Sequence, residues 1–188
     1  MPASTPGDLV ATDPGRAADE PESAARAANL IVLRSHRAGD MAWIARRHGE
    51  LYTAQQGWDA SFETLVEKIC ADFERDFVPA LEHCWIADMA GQPVGSVALA
   101  RSGEEGVAKL RLLLVDQTAR GHGLGSRLVD ECHRFARAAG YRTIRLWTTD
   151  QQQEARRIYR GKGYVQVAAT PVHAFGKDMV DEIWELAL

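Results

Sequence analysis

The chain has 188 residues, enough for one domain whose core needs no disulfide or metal staple. Hydrophobic residues make up 46% and charged residues 26%, and no apolar run approaches the roughly 18–20 residues of a membrane helix, so a membrane protein is excluded. The formal charge is -4; residues 1–29 carry five acids and two bases, and the other 20 bases nearly balance 21 acids, which leaves no broad basic face for a nucleic-acid backbone.

Residues 1–29 are rich in Ala, Pro, Gly, Asp and Glu, with only Leu9 and Val10 as sizeable aliphatics. That composition buries too little apolar surface to offset its ordering entropy, so a flexible tail is expected. It lacks the charged start and apolar centre of a signal peptide. Cys70, Cys84 and Cys132 are odd in number and widely spaced, which reads as buried thiols in a reducing cytoplasm.

Periodic sequence begins at Leu30, where Leu30–Leu33 reads as a short strand. Met41, Ile44, Ala45 and His48 follow at helical spacing with Asp40 as the expected N-cap. A second helix, capped by Asp59 or Ser61, carries the stripe Phe62, Leu65, Val66, Ile69 and Phe73. Cys84–Ala87, the Ala90-Gly91-Gln92 turn and Val94–Ala100 form an expected hairpin, and Ala108–Val115 a further antiparallel strand. Gly123–Ala139 is a strong helix, with Leu124, Leu128, Val129, Cys132, Phe135 and Ala136 on one face and Gly140 as its C-terminal stop. Strand Thr143–Thr148, helix Gln152–Arg160 and strand Tyr164–Ala169 come next. A last strand, Asp181–Leu186, is expected after a loop holding Pro171, His173 and Gly176.

The chemically informative segment runs from Leu110 to Val129. A buried strand enters a loop with three glycines in five positions, Gly121-His122-Gly123-Leu124-Gly125, and the loop becomes the first turn of a helix. Missing side chains allow close approach by a ligand, and unpaired N–H groups at a helix start favour an anion. Such a site suits a phosphate or pyrophosphate, each amide bond to it contributing roughly 1.5–3 kcal/mol. A plain tight turn is the alternative. A Walker loop lacks its lysine, since Gly125-Ser126-Arg127 stands at that place. A dinucleotide fold would carry its glycines after the first strand, with an acid about 20 residues on; here only Asp150 approximates that acid.

Arg120-Gly-His-Gly123-Leu-Gly125 resembles the Arg/Gln-x-x-Gly-x-Gly/Ala loop of the GCN5-related N-acetyltransferases, in the family's place after the fourth strand. Ala155-x-x-x-Tyr159, Gly163-Tyr164 and a final strand with Trp184 agree with it. Gly39-Asp40, Tyr52, Gly57-Trp58, Lys109–Val115, Phe135-Ala-Arg137 and Leu146-Trp-Thr148 look like the acetyltransferase half of chains that fuse it to a MarR-type regulator. The resemblance covers about residues 30–188 as one N-acetyltransferase domain behind the tail of 1–29. It implies an α/β (α+β) fold, a mixed and mostly antiparallel sheet of about seven strands flanked by about four helices.

The implied cosubstrate is acetyl-CoA. Its pantetheine would pair with the main chain of Leu113, Leu114 and Val115 like an added strand. Its pyrophosphate would meet the amides of Gly121, His122, Gly123, Leu124, Gly125 and Ser126, with Arg120 and Arg127 nearby. Gln152 stands where the family usually has Asn, one methylene longer, as a further contact. Tyr159 is the family's proton donor to the departing thiolate; on the residues alone it reads first as a packed ring. Lys109 and Arg111 occupy strand positions where related enzymes often place a carboxylate, so no general base is legible. Glu50, Tyr52, Glu63 and His173 are candidates for the acceptor side, although each reads first as a solvated charge or a packed ring. The histidines show no metal spacing, and no metal is expected. Expected partners are an amine acceptor, small molecule or protein, and a second copy of the chain as a homodimer option, without nucleic acid or membrane. A non-catalytic acyl-CoA-binding sensor or scaffold is the alternative function.

Overall fold

The structure, a computed structural model, describes residues 30–188. The flexible tail expected over residues 1–29 lies outside the described residues. Strands β1 (Ile31–Ser35), β2 (His83–Met89), β3 (Gln92–Arg101), β4 (Val107–Val115), β5 (Thr143–Thr149), β6 (Val165–Ala174) and β7 (Lys177–Ala187) form one sheet in the order β1-β2-β3-β4-β5-β7-β6. The helices are α1 (Asp40–Gln56), α2 (Ala60–Asp76), α3 (Leu124–Ala138) and α4 (Gln153–Gly161). Neighbouring strands are antiparallel except β4 and β5. A parallel pair needs a long crossover, and α3 supplies it. This is the mixed, mostly antiparallel sheet that the resemblance implies.

Strand alternation sorts the core into two layers. Trp85, Ala87, Val97, Leu99, Ala108 and Leu110 pack with Leu128, Val129, Cys132 and Ala136 of α3. Cys84, Ile86, Ala98 and Ala100 pack on the opposite face with Met41 and Ile44 of α1 and Phe62, Val66 and Phe73 of α2. Strand β3 is buried on both faces from Val94 to Ala100, which is why its sequence runs apolar without alternation. The β2–β3 turn is the expected one: Ala90 and Gly91 have φ of 50° and 75°, and Met89 pairs with Gln92. All three cysteines are buried and unpaired.

Two local expectations are corrected. Asp40 is not the cap of α1; Gly39, at φ 91°, holds that position and Asp40 is the first helical residue. The Asp40 carboxylate is drawn instead to the Arg34 guanidinium on β1, at 2.6 and 3.1 Å, and accepts from the Arg37 amide at 2.8 Å. The loop expected around Pro171 and His173 is strand: β6 continues to Ala174 and turns through Phe175 (φ 54°) and Gly176 (φ 74°) into β7, Ala174 pairing with Lys177. Pro171 is tolerated there because β6 is the sheet edge, where a missing N–H breaks no ladder on the outer side.

What positions the site is a split in the sheet. Strands β4 and β5 pair only from Val107↔Thr143 to Leu110↔Leu146. Just beyond, Leu112 adopts φ 56° and the register with β3 shifts between Ser96 and Ala98. Two residues apart on a regular strand, Leu110 and Leu112 would share a face; the bulge sends Leu110 into the α3 layer and Leu112 into the α1/α2 layer. The Leu112 carbonyl accepts a hydrogen bond from the buried Ser96 hydroxyl at 2.8 Å, which satisfies the bulged peptide.

Candidate active site

The split opens a cleft of about 750 Å³. Its walls are Leu113, Leu114 and Val115 of β4, the loop residues Arg120, Gly121 and Gly123, the start of α3 at Leu124, Gly125 and Ser126, and Gln152, Ala155 and Ile158 at α4. Leu51, Tyr52 and Gln55 of α1 face them. Ten of the eleven residues expected to contact acetyl-CoA are thus brought together. The eleventh, His122, is exposed and its side chain is not part of the cleft wall.

The three loop glycines have different physical roles. Gly121 and Gly123 have φ of 80° and 66°, with no protein atom within 4 Å of where a Cβ would stand. They turn the chain and leave open space before the helix. A Cβ on Gly125 would lie 2.6 Å from Ile158 Cδ1, so this glycine lets α4 approach α3. The α3 ladder begins with the Arg127 amide donating to the Gly123 carbonyl at 3.1 Å. The amides of Leu124, Gly125 and Ser126 therefore have no acceptor within their own helix. Arg120 reaches across to Gln55 Oε1 at 3.0 Å. Arg127 turns away, donating to the Ile31 carbonyl at 3.4 Å. Asp116 ties the loop to α1 through Arg47 at 2.6 Å.

A second cavity of about 380 Å³ adjoins the cleft. Helices α1 and α2 contribute His48, Tyr52, Phe62, Leu65, Val66 and Ile69; the sheet contributes Lys109, Arg111, Leu112, Arg145, Trp147 and Ile183. Tyr52 and Gln152 line both spaces. Of the four acceptor-side candidates, only Tyr52 is in the wall. Glu50 is exposed and paired with Arg47 at 2.8 Å, Glu63 packs over Gly49, and His173 bonds Asp178 at 2.7 Å on the exposed end of the β6–β7 hairpin. Sequence reasoning did not assign His48 or Trp147 to this cavity. The cations on β4 carried the signal, because Lys109 and Arg111 interrupt an apolar strand at alternate positions and so aim at one face.

Burial dominates the titration of the site. It pushes the Tyr52 phenol up to about 12, against the opposing pull of the Arg120 charge and of the neighbouring Gln152 side chain. Tyr159 is buried in the α3-side core against Tyr164, with ring centroids 5.6 Å apart, and lines neither cavity. Its phenol is raised further, by burial first and then by Tyr52 and Cys132. Both phenols are neutral at physiological pH. His48 is pulled down to about 4 by burial, although its Nδ1 bonds the Ile44 carbonyl at 2.8 Å. Lys109 is lowered by burial and then by the neighbouring Arg111 and Arg145. Among the described residues no group of three or more His, Cys, Asp or Glu side chains is placed to hold a metal, and no helix is long and apolar enough to cross a membrane.

Comparison with known proteins bears on the same region. The family model described as the acetyltransferase (GNAT) family matches residues 50–164. The chain is 32% identical to rat N-acetyltransferase 8F1 over 117 residues, 60% of this chain and 53% of that protein. It is 31% identical to the N-acetylaspartate synthetase of Xenopus tropicalis over 55% of this chain and 38% of that protein, and 31% identical to the IAA acetyltransferase of Azospirillum brasilense over 77% and 86%. It thus spans about half or less of the length of the first two relatives. Among solved structures, YncA of Salmonella typhimurium with its cofactor acetyl-CoA superposes with a TM-score of 0.68 at 18% identity, covering 85% of this chain and 95% of that one. A GCN5-related N-acetyltransferase from Kribbella flavida gives 0.66 at 20% identity, over 84% and 98%. The family model covers more than half of the chain, including the glycine loop and most of the cleft wall, and the protein belongs to the GNAT acetyltransferase family.

Proposed function

We propose that the protein is an N-acetyltransferase that moves the acetyl group of acetyl-CoA to a primary amine by direct attack in a ternary complex. The observation that carries this reading is the junction of two cavities at Tyr52 and Gln152. One has the glycine turn and free helix amides that suit a pyrophosphate; the other leaves room for an acceptor. The split beyond Leu110↔Leu146 leaves β4 main chain without a β5 partner, the arrangement that pantetheine would use as an added strand along Leu113–Val115.

In this reading the amine nitrogen attacks the thioester carbon, the carbon–sulfur bond breaks, and the amine's proton is lost while the thiolate gains one. A neutral amine is needed, and no carboxylate lines the second cavity to take its proton. The cations there disfavour an ammonium by like charge, as they do for Lys109. Tyr159 serves as proton donor to the thiolate; the family resemblance and its neutral phenol support the assignment, while its ring is packed in the α3-side core and lines neither cavity. Tyr52 is a second reading for the same role, favoured by its position in both cavity walls.

The likeness to MarR-fused chains belongs to this proposal and motivates the alternative of a non-catalytic acyl-CoA sensor. A cytoplasmic location fits the three buried free thiols. The test is thiol release from acetyl-CoA with a panel of amines, beside the thermal shift that acetyl-CoA produces. Shift with release is expected; shift without release from any amine would assign the sensor, and no shift would remove both readings.

A further inference from the structure

The second cavity has a charge pattern that the transfer reaction itself does not require. Lys109 pairs in register with Ala100 and Arg111 with Ala98, and both alanines belong to the α1/α2 layer. Residues directly opposite on antiparallel strands share a face. The two cations therefore stand on the floor of the cavity, under Phe62, Leu65 and Ile69 of α2. Arg145 is beside Lys109 in the β4–β5 register, but its charge is met by Glu185 at 2.5 Å and Glu104 at 2.9 Å.

Lys109 and Arg111 have no such partner: among the described residues neither forms a salt bridge, and the wall holds no Asp or Glu. The acid that acts on Arg111 is Asp72, whose carboxylate is engaged by Lys68 and Arg75, each at 2.8 Å. Half-buried cations without a counter-charge are costly unless a ligand supplies one. Phe62, Leu65, Ile69 and Trp147 give the same cavity an apolar side.

We infer that the acceptor is a free amino acid with an apolar side chain, its carboxylate held by Arg111 and Lys109 and its side chain against α2 and Trp147. The inference rests on the acetyltransferase reading and names its substrate class. Arg111 offers a planar fork suited to a carboxylate, and Lys109 adds a point charge. Arg111 adjoins Leu112, where the strands part, so a carboxylate there leaves the amine on the side of Tyr52 and Gln152. A polyamine or other multiply cationic acceptor would face uncompensated like charge.

The test uses the full chain and matched pairs: L-phenylalanine against 2-phenylethylamine, and L-leucine against 3-methylbutylamine. Two quantities are measured, kcat/KM from thiol release, and the Kd of the corresponding N-acetyl products for the CoA complex by calorimetry. The acid of each pair is expected to be favoured by at least about tenfold in Kd, and in kcat/KM wherever turnover occurs, equivalent to about 1.4 kcal/mol. Arg111→Met should remove that preference, Arg111→Lys should keep part of it, and Lys109→Met should weaken it, all with the acetyl-CoA Kd unchanged as the check on folding. Neutral amines or products that match or surpass the acids, a preference that survives in the Arg111→Met, Lys109→Met double variant, or no product binding at all would each overturn the inference. Acid-selective product binding without thiol release would support the carboxylate site while sinking the transferase reading, so the two fail separately.

Discussion

Tyr52 of α1 and Gln152 at the start of α4 stand together where the cleft and the second cavity share a wall. The Gln152 carbonyl oxygen accepts from the Thr148 hydroxyl and, at 3.4 Å, from the Thr149 amide, which anchors the side chain to the end of β5 and leaves its NH₂ as a donor toward the shared wall. Gln152→Ala should raise the KM for acetyl-CoA and slow turnover together, since it removes part of the wall that the cleft and the second cavity share. Unchanged kinetics in that variant would show that the contact is only structural.

The two tyrosines separate by substitution. Tyr159→Phe should lower kcat by about 100-fold with little change in acetyl-CoA affinity, because a general acid acts mainly in the transition state. Tyr52→Phe should cost less than about tenfold, since it keeps the ring in both cavity walls and removes one hydroxyl. Single-turnover measurements are the proper readout, as CoA release can mask a chemical defect. The reverse pattern would transfer the role to Tyr52.

Acetyl-CoA should raise the melting temperature by mass action. In Gly123→Val that rise should vanish, because a branched side chain would enter the open space before α3. A side chain at φ 66° also strains the backbone by about 1–2 kcal/mol. Gly103→Val, at φ 85° in the β3–β4 connection, carries the same strain and should keep the ligand-induced rise. A retained rise in Gly123→Val would remove the pyrophosphate from this loop.

Ser96→Ala should destabilise the protein by about 1–3 kcal/mol, the cost of an unpaired buried carbonyl, here that of Leu112. Because that carbonyl belongs to the bulge that parts β4 from β5, the KM for acetyl-CoA should rise as well. Urea denaturation and steady-state kinetics check the two effects, and a loss of stability with unchanged KM would uncouple the bulge from the cleft.

His48 makes stability depend on pH. Its folded pKa, about 4, lies below the ordinary 6.5, so from pH 6.5 downward the unfolded chain takes up a proton that the fold refuses. Stability from this source is fully present above pH 6.5 and is lost as pH falls toward 4, by about 2 kcal/mol between pH 7 and pH 5. His48→Gln has no proton to take up, so its denaturation midpoint should fall less over that interval than that of the wild type. Parallel curves would contradict the burial argument.

The elements were legible because each follows a local rule: the α3 stripe ends at Gly140, the Ala90-Gly91 pair suits a two-residue turn, and Asp59 caps α2 by accepting from the Ser61 amide at 2.9 Å. The glycine loop was legible for the same reason, and with it ten of the residues that line the cleft. Asp40 was misread because its partner Arg34 lies on another element, and the extent of β6 because pairing with β7 overrides the turn signals of Pro171 and His173. Long-range pairing also decided the site. Leu112 is an ordinary leucine in an apolar run, and only its carbonyl bond to Ser96 and the parting of β4 from β5 show that the strand reverses face there. The sequence by itself determined most of the strands and helices and the glycine turn before α3, since these are set by periodicity and backbone freedom within a few residues. The tertiary structure alone decided that Tyr52 and Gln152, a hundred residues apart, join two cavities, and that Arg111 and Lys109 enter the second without a counter-charge, since burial and charge balance are properties of the assembled sheet and helices.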